Sequence, residues 1–539
     1  MKLTTRIIPF ILCSLLFMQC SKSLLDEQAP HILLADNLFN NKVGFQAGLN
    51  GLYDEVRRMR SSTVYGAAGN MMLTPAFIGV DNAYANWRDA YEDVFNNWQA
   101  NNNPAQNNFR LTWAWLYETI NAANTIINRA ENPEIDWTAT EKNIVLAEAR
   151  FIRGWCYRHL TYLWGDVPLT LEESSGENIK TDWDRNSVAE VQAAIEEDWL
   201  FAEQHLAVVS GNDGKLIKGV AQHYLAELYL AMDDPGKARD QALKVIQNPN
   251  YKLVTTRYGA RATQPGTPFT DMFIDGNSNR SEGNTEALWV IQNELNVIGG
   301  EGSNIMRRYW VNRYYSLRVG NRNPIAISAE NGGRGIGRWG PTKFALDLYE
   351  ASDDRGSHHA WRFFYLINNP AGIPAGRKLG DTIFLNRTSN EIITNPDWPH
   401  TRKWDYTSPV DINVDRQYND QIYIRIAETY LLLAEAYMEL GELQNAADAI
   451  NALRDRSNAP LIDAGDITLD FILDERSREL FSEEERRYTL LRTGKWLERT
   501  RLHNKIAGSK VTDRDTLLPI PQAVIDANLT SPMRQNPGY

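Results

Sequence analysis

The chain has 539 residues, 43% hydrophobic and 23% charged, with 68 Asp and Glu against 56 Lys and Arg for a formal net charge of −12. A chain of this size buries enough apolar surface to fold without disulfides. Its acidic balance excludes nucleic acid or an anionic membrane face as the main partner, because both would be held through their own negative charge.

Lys2 and Arg6 precede an apolar run from Ile7 to Met18. This is the order of a secretory signal, and the run falls well short of the roughly 20 residues that span a bilayer. It stops at Gln19-Cys20, which predicts cleavage before Cys20 and lipidation of its thiol; an ordinary signal with a chance cysteine is the alternative. Residues 1–19 therefore read as a lipoprotein signal peptide and 20–36 as a lipidated tether. No later segment approaches about 18 consecutive apolar residues, so the lipid is the expected membrane attachment. Of the three cysteines, Cys13 falls in the signal and Cys20 at the anchor, which leaves Cys156 with no disulfide partner.

Residues 37–539 read as one large domain. The stretches "NNWQANNNPAQNN" (96–108) and "AENGGRGIGRWG" (329–340) are short and carry tryptophan, as loops do and linkers do not. Between them, "FRLTWAWLYETINAANTIINRA" is an amphipathic helix, with Trp113 and Trp115 on its core face. A capping box, Thr138 with Glu141, opens the next helix, which Gly165 and Pro168 stop; a second box, Ser187 with Glu190, opens another. The two form a candidate antiparallel pair near 138–208.

Two later segments match each other. "LAELYLAMDDPGKARDQALKVI" (225–246) and "LAEAYMELGELQNAADAINALR" (433–454) align without a gap, placing Leu225, Ala226, Tyr229 and Ala238 on Leu433, Ala434, Tyr437 and Ala446. This is tetratricopeptide spacing, in which small residues let paired helices approach and a tyrosine fills the groove. Pairs are expected near 218–248 and 421–457. Since a lone repeat buries too little to stand alone, the pairs should meet in space. The predicted fold is mostly α, with tetratricopeptide-like helical pairs in one large domain and long loop-rich insertions near 63–110 and 255–410.

Four motifs then follow one another in a specific order: "AEARFIRGWCYRHLTYLWGDVPL" (147–169), "IRIAETYLLLAEAYMELG" (424–441), "ERSRELFSEEERRYTLLRTGKW" (475–496) and "LLPIPQAVIDANLTSPMRQNPGY" (517–539). On these the chain resembles the SusD/RagB family of Bacteroidota surface lipoproteins, nearly end to end. Glu485 and Tyr488 stand where that family more often has glycine and tryptophan. Arg150, Arg153 and the run Glu475 to Arg487 carry opposite charges three and four residues apart and are expected to be structural ion pairs. The prolines of the last motif predict a strap along the helices.

Binding chemistry is expected in the insertions. Aromatic faces stack on the C–H faces of sugar rings while Asp, Asn and Arg bond the hydroxyls. The first insertion offers Asp81, Asn82, Trp87 and Trp98, and the second offers Tyr309, Trp310, Tyr314, Tyr315 and Trp339. In starch-binding members of the family two such loops build an aromatic shelf; "DNAYANW" matches one through Asp81 and Trp87, and "GRWGPTKFALDLYE" places Trp339 in the other. The resemblance implies exposed stacking tryptophans at 87 and 339.

Catalytic patterns are sparse. "GIGRWG" (335–340) is formally G-x-G-x-x-G but has neither the strand before nor the helix after it that a nucleotide fold requires. No H-E-x-x-H, C-x-x-C or G-x-S-x-G occurs. The resemblance implies a non-enzymatic, outer-membrane, cell-surface protein that captures a glycan for a partner TonB-dependent, SusC-like transporter, with no cofactor and no metal. A tetratricopeptide scaffold for a protein partner and a peptide ligand are the alternatives, and a glycosidase is a third, since two carboxylates suffice for one.

Overall fold

The computed structural model describes residues 35–60, 71–86, 91–98, 101–175, 178–297, 300, 304–386 and 396–539. The expected signal, the expected tether up to residue 34 and Cys20 lie outside them, and so does Trp87.

Helices carry the architecture. α1 (Lys42–Arg57) and α2 (Asn107–Arg129) precede α3 (Ala139–Trp164) and α4 (Val188–His205). Both expected capping boxes are present. The Thr138 and Ser187 hydroxyls accept the amides of Glu141 and Glu190, whose carboxylates bond the cap amides in return. α3 packs against α2 on one side and α4 on the other.

The matched segments form α5 (Lys218–Ala231) with α6 (Pro235–Ile246), and α7 (Ile426–Glu439) with α8 (Leu443–Arg456). α6 packs directly on α7, although the chain between them runs through the whole second insertion. Ala226, Ala238, Ala434 and Ala446 are all buried, as the close approach of paired helices requires. Tyr229 donates its hydroxyl to Glu196 on α4 at 2.9 Å, which ties the first repeat to the preceding pair. α3 to α8 thus form one continuous stack of helical pairs, extended by α9 (Leu469–Leu480), α10 (Arg486–Arg492) and α11 (Trp496–His503).

Strands occur as two-stranded antiparallel ladders: β1 (Ala83–Ala85) with β3 (Trp339–Pro341), β2 (Ala287–Ile291) with β8 (Gln421–Arg425), β4 (Trp361–Arg362) with β7 (His400–Thr401), and β5 (Phe364–Leu366) with β6 (Thr382–Phe384). β8 runs straight into α7, so the second insertion returns to the helical stack through its own ladder.

The charged run of the third motif is buried. Arg425 pairs with Glu286, Glu479 and Glu483, Arg456 with Glu286 and Glu479, and Arg355 with Asp353, Glu475 and Glu479. Burial pushes the Glu479 carboxyl up, but the guanidiniums of Arg456, Arg425 and Arg355 outweigh it and hold the group well below the ordinary carboxylate range. Arg153 likewise binds Asp198 at 2.7 Å. Glu485 accepts from Arg158 at 2.9 Å and from Tyr423 at 2.8 Å.

The last motif lies along the helices. Leu518 donates its amide to the Leu163 carbonyl at 2.8 Å, and the Trp164 indole donates to the Pro519 carbonyl at 3.0 Å. One main hydrophobic cluster runs from Phe45 to Met533. Among the described residues no helix is long and apolar enough to cross a membrane.

Candidate functional site

The two aromatic-rich insertions meet at the β1–β3 ladder, where Ala85 faces Trp339. Beyond it, Asn86 donates its amide to the Arg338 carbonyl at 2.7 Å and its side chain to the Gly337 carbonyl at 3.1 Å. Trp87 follows immediately, outside the described residues. Asn96 fixes the other side of β1, accepting from the Ala85 amide at 3.1 Å and donating to its carbonyl at 2.7 Å. Arg338 is held by the buried Glu92 at 2.6 Å.

The structure buries the remaining candidates, and for Trp339 this corrects the expected exposure. Asp81 is fully buried, and its carboxylate accepts from Arg486 at 2.6 and 2.9 Å and from Arg499 at 2.8 Å. Asn82 is buried and donates to the Ser477 hydroxyl at 3.0 Å. Trp98 sits in a left-handed backbone conformation at φ 54°, packed edge-on against Trp496, with the Arg487 guanidinium 4.9 Å over its ring. Tyr309 accepts the Met71 amide at 3.1 Å, and Tyr314 donates to the Gly333 carbonyl at 2.7 Å while stacking on Tyr365. Trp339, only 2% exposed, packs among Phe77, Tyr309 and Trp310.

The reason is the poverty of regular structure in the insertions. Segments joined by two-residue and three-residue ladders need their own apolar core, and large rings supply it efficiently. A buried aspartate must in turn be paired. These side chains therefore form a buried floor beneath the two insertions rather than their surface.

The rim is formed by other groups. Of the five aromatic candidates in the second insertion, Tyr315 alone is only partly buried. Two guanidiniums lie near its ring, Arg313 at 5.9 Å and Arg334 at 5.8 Å from the centroid. Arg334 also donates Nε–H to the Tyr315 hydroxyl at 3.2 Å and Nη1–H to the Asn413 carbonyl at 2.8 Å, so the ring is held in place. Arg334 and the half-buried Ile336 share a loop with Gly337, the partner of Asn86. This loop is closely packed: at Gly333, with φ 71°, a Cβ would lie 2.2 Å from the Tyr406 carbonyl. Sequence reasoning named Tyr315 as an aromatic of the region and missed Arg334; the interleaving of Arg313, Tyr315 and Arg334 was the available signal. Among the described residues no group of three or more His, Cys, Asp or Glu side chains is placed to hold a metal ion.

The geometry defines a stack of tetratricopeptide-like pairs carrying two loop insertions that converge on one rim. Two family models match, one described as "SusD family" over residues 385–539 and one as "Starch-binding associating with outer membrane" over 38–230. The chain is 26% identical over 554 aligned residues to SusD-like protein P2 of Formosa agariphila, covering 99% of each. It is 24% identical to SusD-like protein P25 of the same organism, over 85% of this chain and 80% of the relative. Surface glycan-binding protein A from Bacteroides thetaiotaomicron, solved in complex with laminarihexaose, shares the fold with a TM-score of 0.69 at 17% identity, over 92% of this chain and 99% of that one. The chain belongs to the SusD/RagB family.

Proposed function

We propose that the protein is a cell-surface glycan-binding protein that captures an oligo- or polysaccharide and passes it to a partner TonB-dependent, SusC-like transporter of the outer membrane, with no bond made or broken. The observation that carries this reading is the pairing of Ala85 with Trp339. It sets Asn86, and the chain leading to Trp87, against the loop that bears Arg334 beside Tyr315. A fixed ring face with amide and guanidinium groups around it is what a polyhydroxylated ligand requires, and loops held rigid by a buried aromatic floor lose little freedom on binding. The laminarihexaose bound by the structural neighbour and the description of the amino-terminal family model support the ligand class and the location. Residues 1–19 are proposed as the signal and 20–36 as the tether, with Cys20 lipidated.

The test is a glycan array followed by a reducing-end assay on the glycans retained. Binding without new reducing ends supports capture. Release of reducing ends would make the protein a glycosidase, and affinity for a peptide or protein with no glycan signal would replace the ligand class.

A further inference from the structure

The β5–β6 ladder lies apart from the rim and leaves large rings in water. Phe364 and Phe384 are cross-strand partners with centroids 6.0 Å apart, and Phe384 is 75% exposed. The row continues inward. His358 lies 6.0 Å from Phe364, and His359 lies 3.9 Å from His358. His359 in turn lines a cavity of about 270 Å³ together with Arg261, Thr270, Asp275, Arg402 and Tyr406. Arg402 joins row and cavity, donating to the His358 carbonyl at 3.1 Å. The Arg261 guanidinium makes no hydrogen bond or ion pair among the described residues.

We infer that this row of rings and the cavity behind it form a second carbohydrate-binding site, engaging a stretch of glycan beyond the unit held at the β1–β3 rim. The inference rests on the glycan-binding reading above. The rings are tilted to one another by 32° to 64°, so that each offers a face to a different sugar unit, while the cavity supplies both donors and acceptors for hydroxyls. An apolar protein surface fits poorly here, since seating it would strip water from Arg261 and Asp275 without replacing their hydrogen bonds. The position also suits a long ligand. Gly332 lines the cavity, and Arg334 of the rim follows two residues later on the same loop. The stack of Tyr314 on Tyr365, 4.7 Å between centroids, ties the rim to the β5 strand from beneath.

Two sites on one rigid support raise the affinity for a chain that reaches both, well above that for a short fragment. The experiment compares wild type, a rim variant (Trp87→Ala with Tyr315→Ala) and a ladder variant (His358→Ala with Phe384→Ala) on one array of polysaccharides and their short oligosaccharides. The ladder variant is expected to bind polysaccharides about tenfold or more weakly while keeping short-oligosaccharide binding, and the rim variant to retain residual polysaccharide signal. A ladder variant indistinguishable from wild type on every polysaccharide overturns the second site and leaves the rim reading standing. A wild-type protein silent across the array overturns both.

Discussion

Arg486 grips Asp81 with two N–H groups, Nε at 2.9 Å and Nη2 at 2.6 Å, across 405 residues of sequence. Arg499 adds a third bond to the same carboxylate at 2.8 Å. Burial pushes the Asp81 carboxyl up, but the two guanidiniums outweigh it and hold the group well below the ordinary carboxylate range. The first insertion is thereby fastened to α10 and α11, and the rim rests on that fastening.

Asp81→Ala removes the three charge-assisted bonds that fasten the first insertion, while Arg486 keeps Glu484 and Arg499 keeps Asp470 and Asp474, and should cost about 1 to 3 kcal/mol. Because the folded carboxyl titrates below its unfolded value near about 3.9, its contribution is complete above that value and is lost as pH falls toward the folded one. Urea midpoints of wild type and variant should differ by a constant amount from about pH 5 to 8 and converge in stronger acid. Equal midpoints at neutral pH would show that the pairing does not support the fold.

Glu428 has the opposite sign. Burial pushes its carboxyl up to about 7, with Arg476 opposing and Glu484, Glu227 and Glu485 adding to the rise. The folded state thus keeps a proton that the unfolded state releases near about 4.3, so this group's contribution declines as pH rises from there to about 7. Glu428→Gln should remove that decline, and Arg476 keeps Glu484 at 2.7 Å in the variant. The check is the change in urea midpoint between pH 5 and pH 8, smaller in the variant; an identical change in both proteins would contradict the assignment.

Trp339→Ala removes a packed ring and should lower stability by about 3 to 5 kcal/mol. Tyr315→Ala, at a partly buried position on the rim, should lower the melting temperature much less. Calorimetry on the two variants separates floor from rim, and a wild-type melting temperature for Trp339→Ala would return that ring to the surface.

Ala226→Leu and Ala434→Leu each force a larger side chain into a close helix contact and should cost about 1 to 3 kcal/mol. Chemical denaturation measures both. Unchanged stability in the two variants would mean that the paired helices do not depend on these small residues.

Much of the scaffold was legible because its signals are local or periodic. The Thr138–Glu141 and Ser187–Glu190 boxes act over one turn, the repeat spacing marks Ala226 and Ala434 without knowledge of their partners, and the proline-rich end announces a strap. Opposite charges along Glu475 to Arg487 also read correctly as ion pairs. The site was legible only as two insertions, and the β1–β3 ladder shows that these insertions meet. Which rings face water was not legible, because burial in a loop follows no period and is decided by distant partners: Trp98 is covered by Arg487 and Trp496, and Asp81 by Arg486 and Arg499. A tryptophan beside polar residues in sequence carries no mark that separates a stacking platform from a floor.

The most direct test of the account is the affinity of the protein and its rim variants for a glycan identified on the array, measured by titration calorimetry beside melting temperature. Wild type should bind the glycan without generating reducing ends. Trp87→Ala and Tyr315→Ala should each stay much closer to the wild-type melting temperature than Trp339→Ala and bind about tenfold more weakly, the loss of about 1.4 kcal/mol expected for one stacking contact. Wild-type affinity in both variants would contradict the claim that the converging insertions hold the ligand.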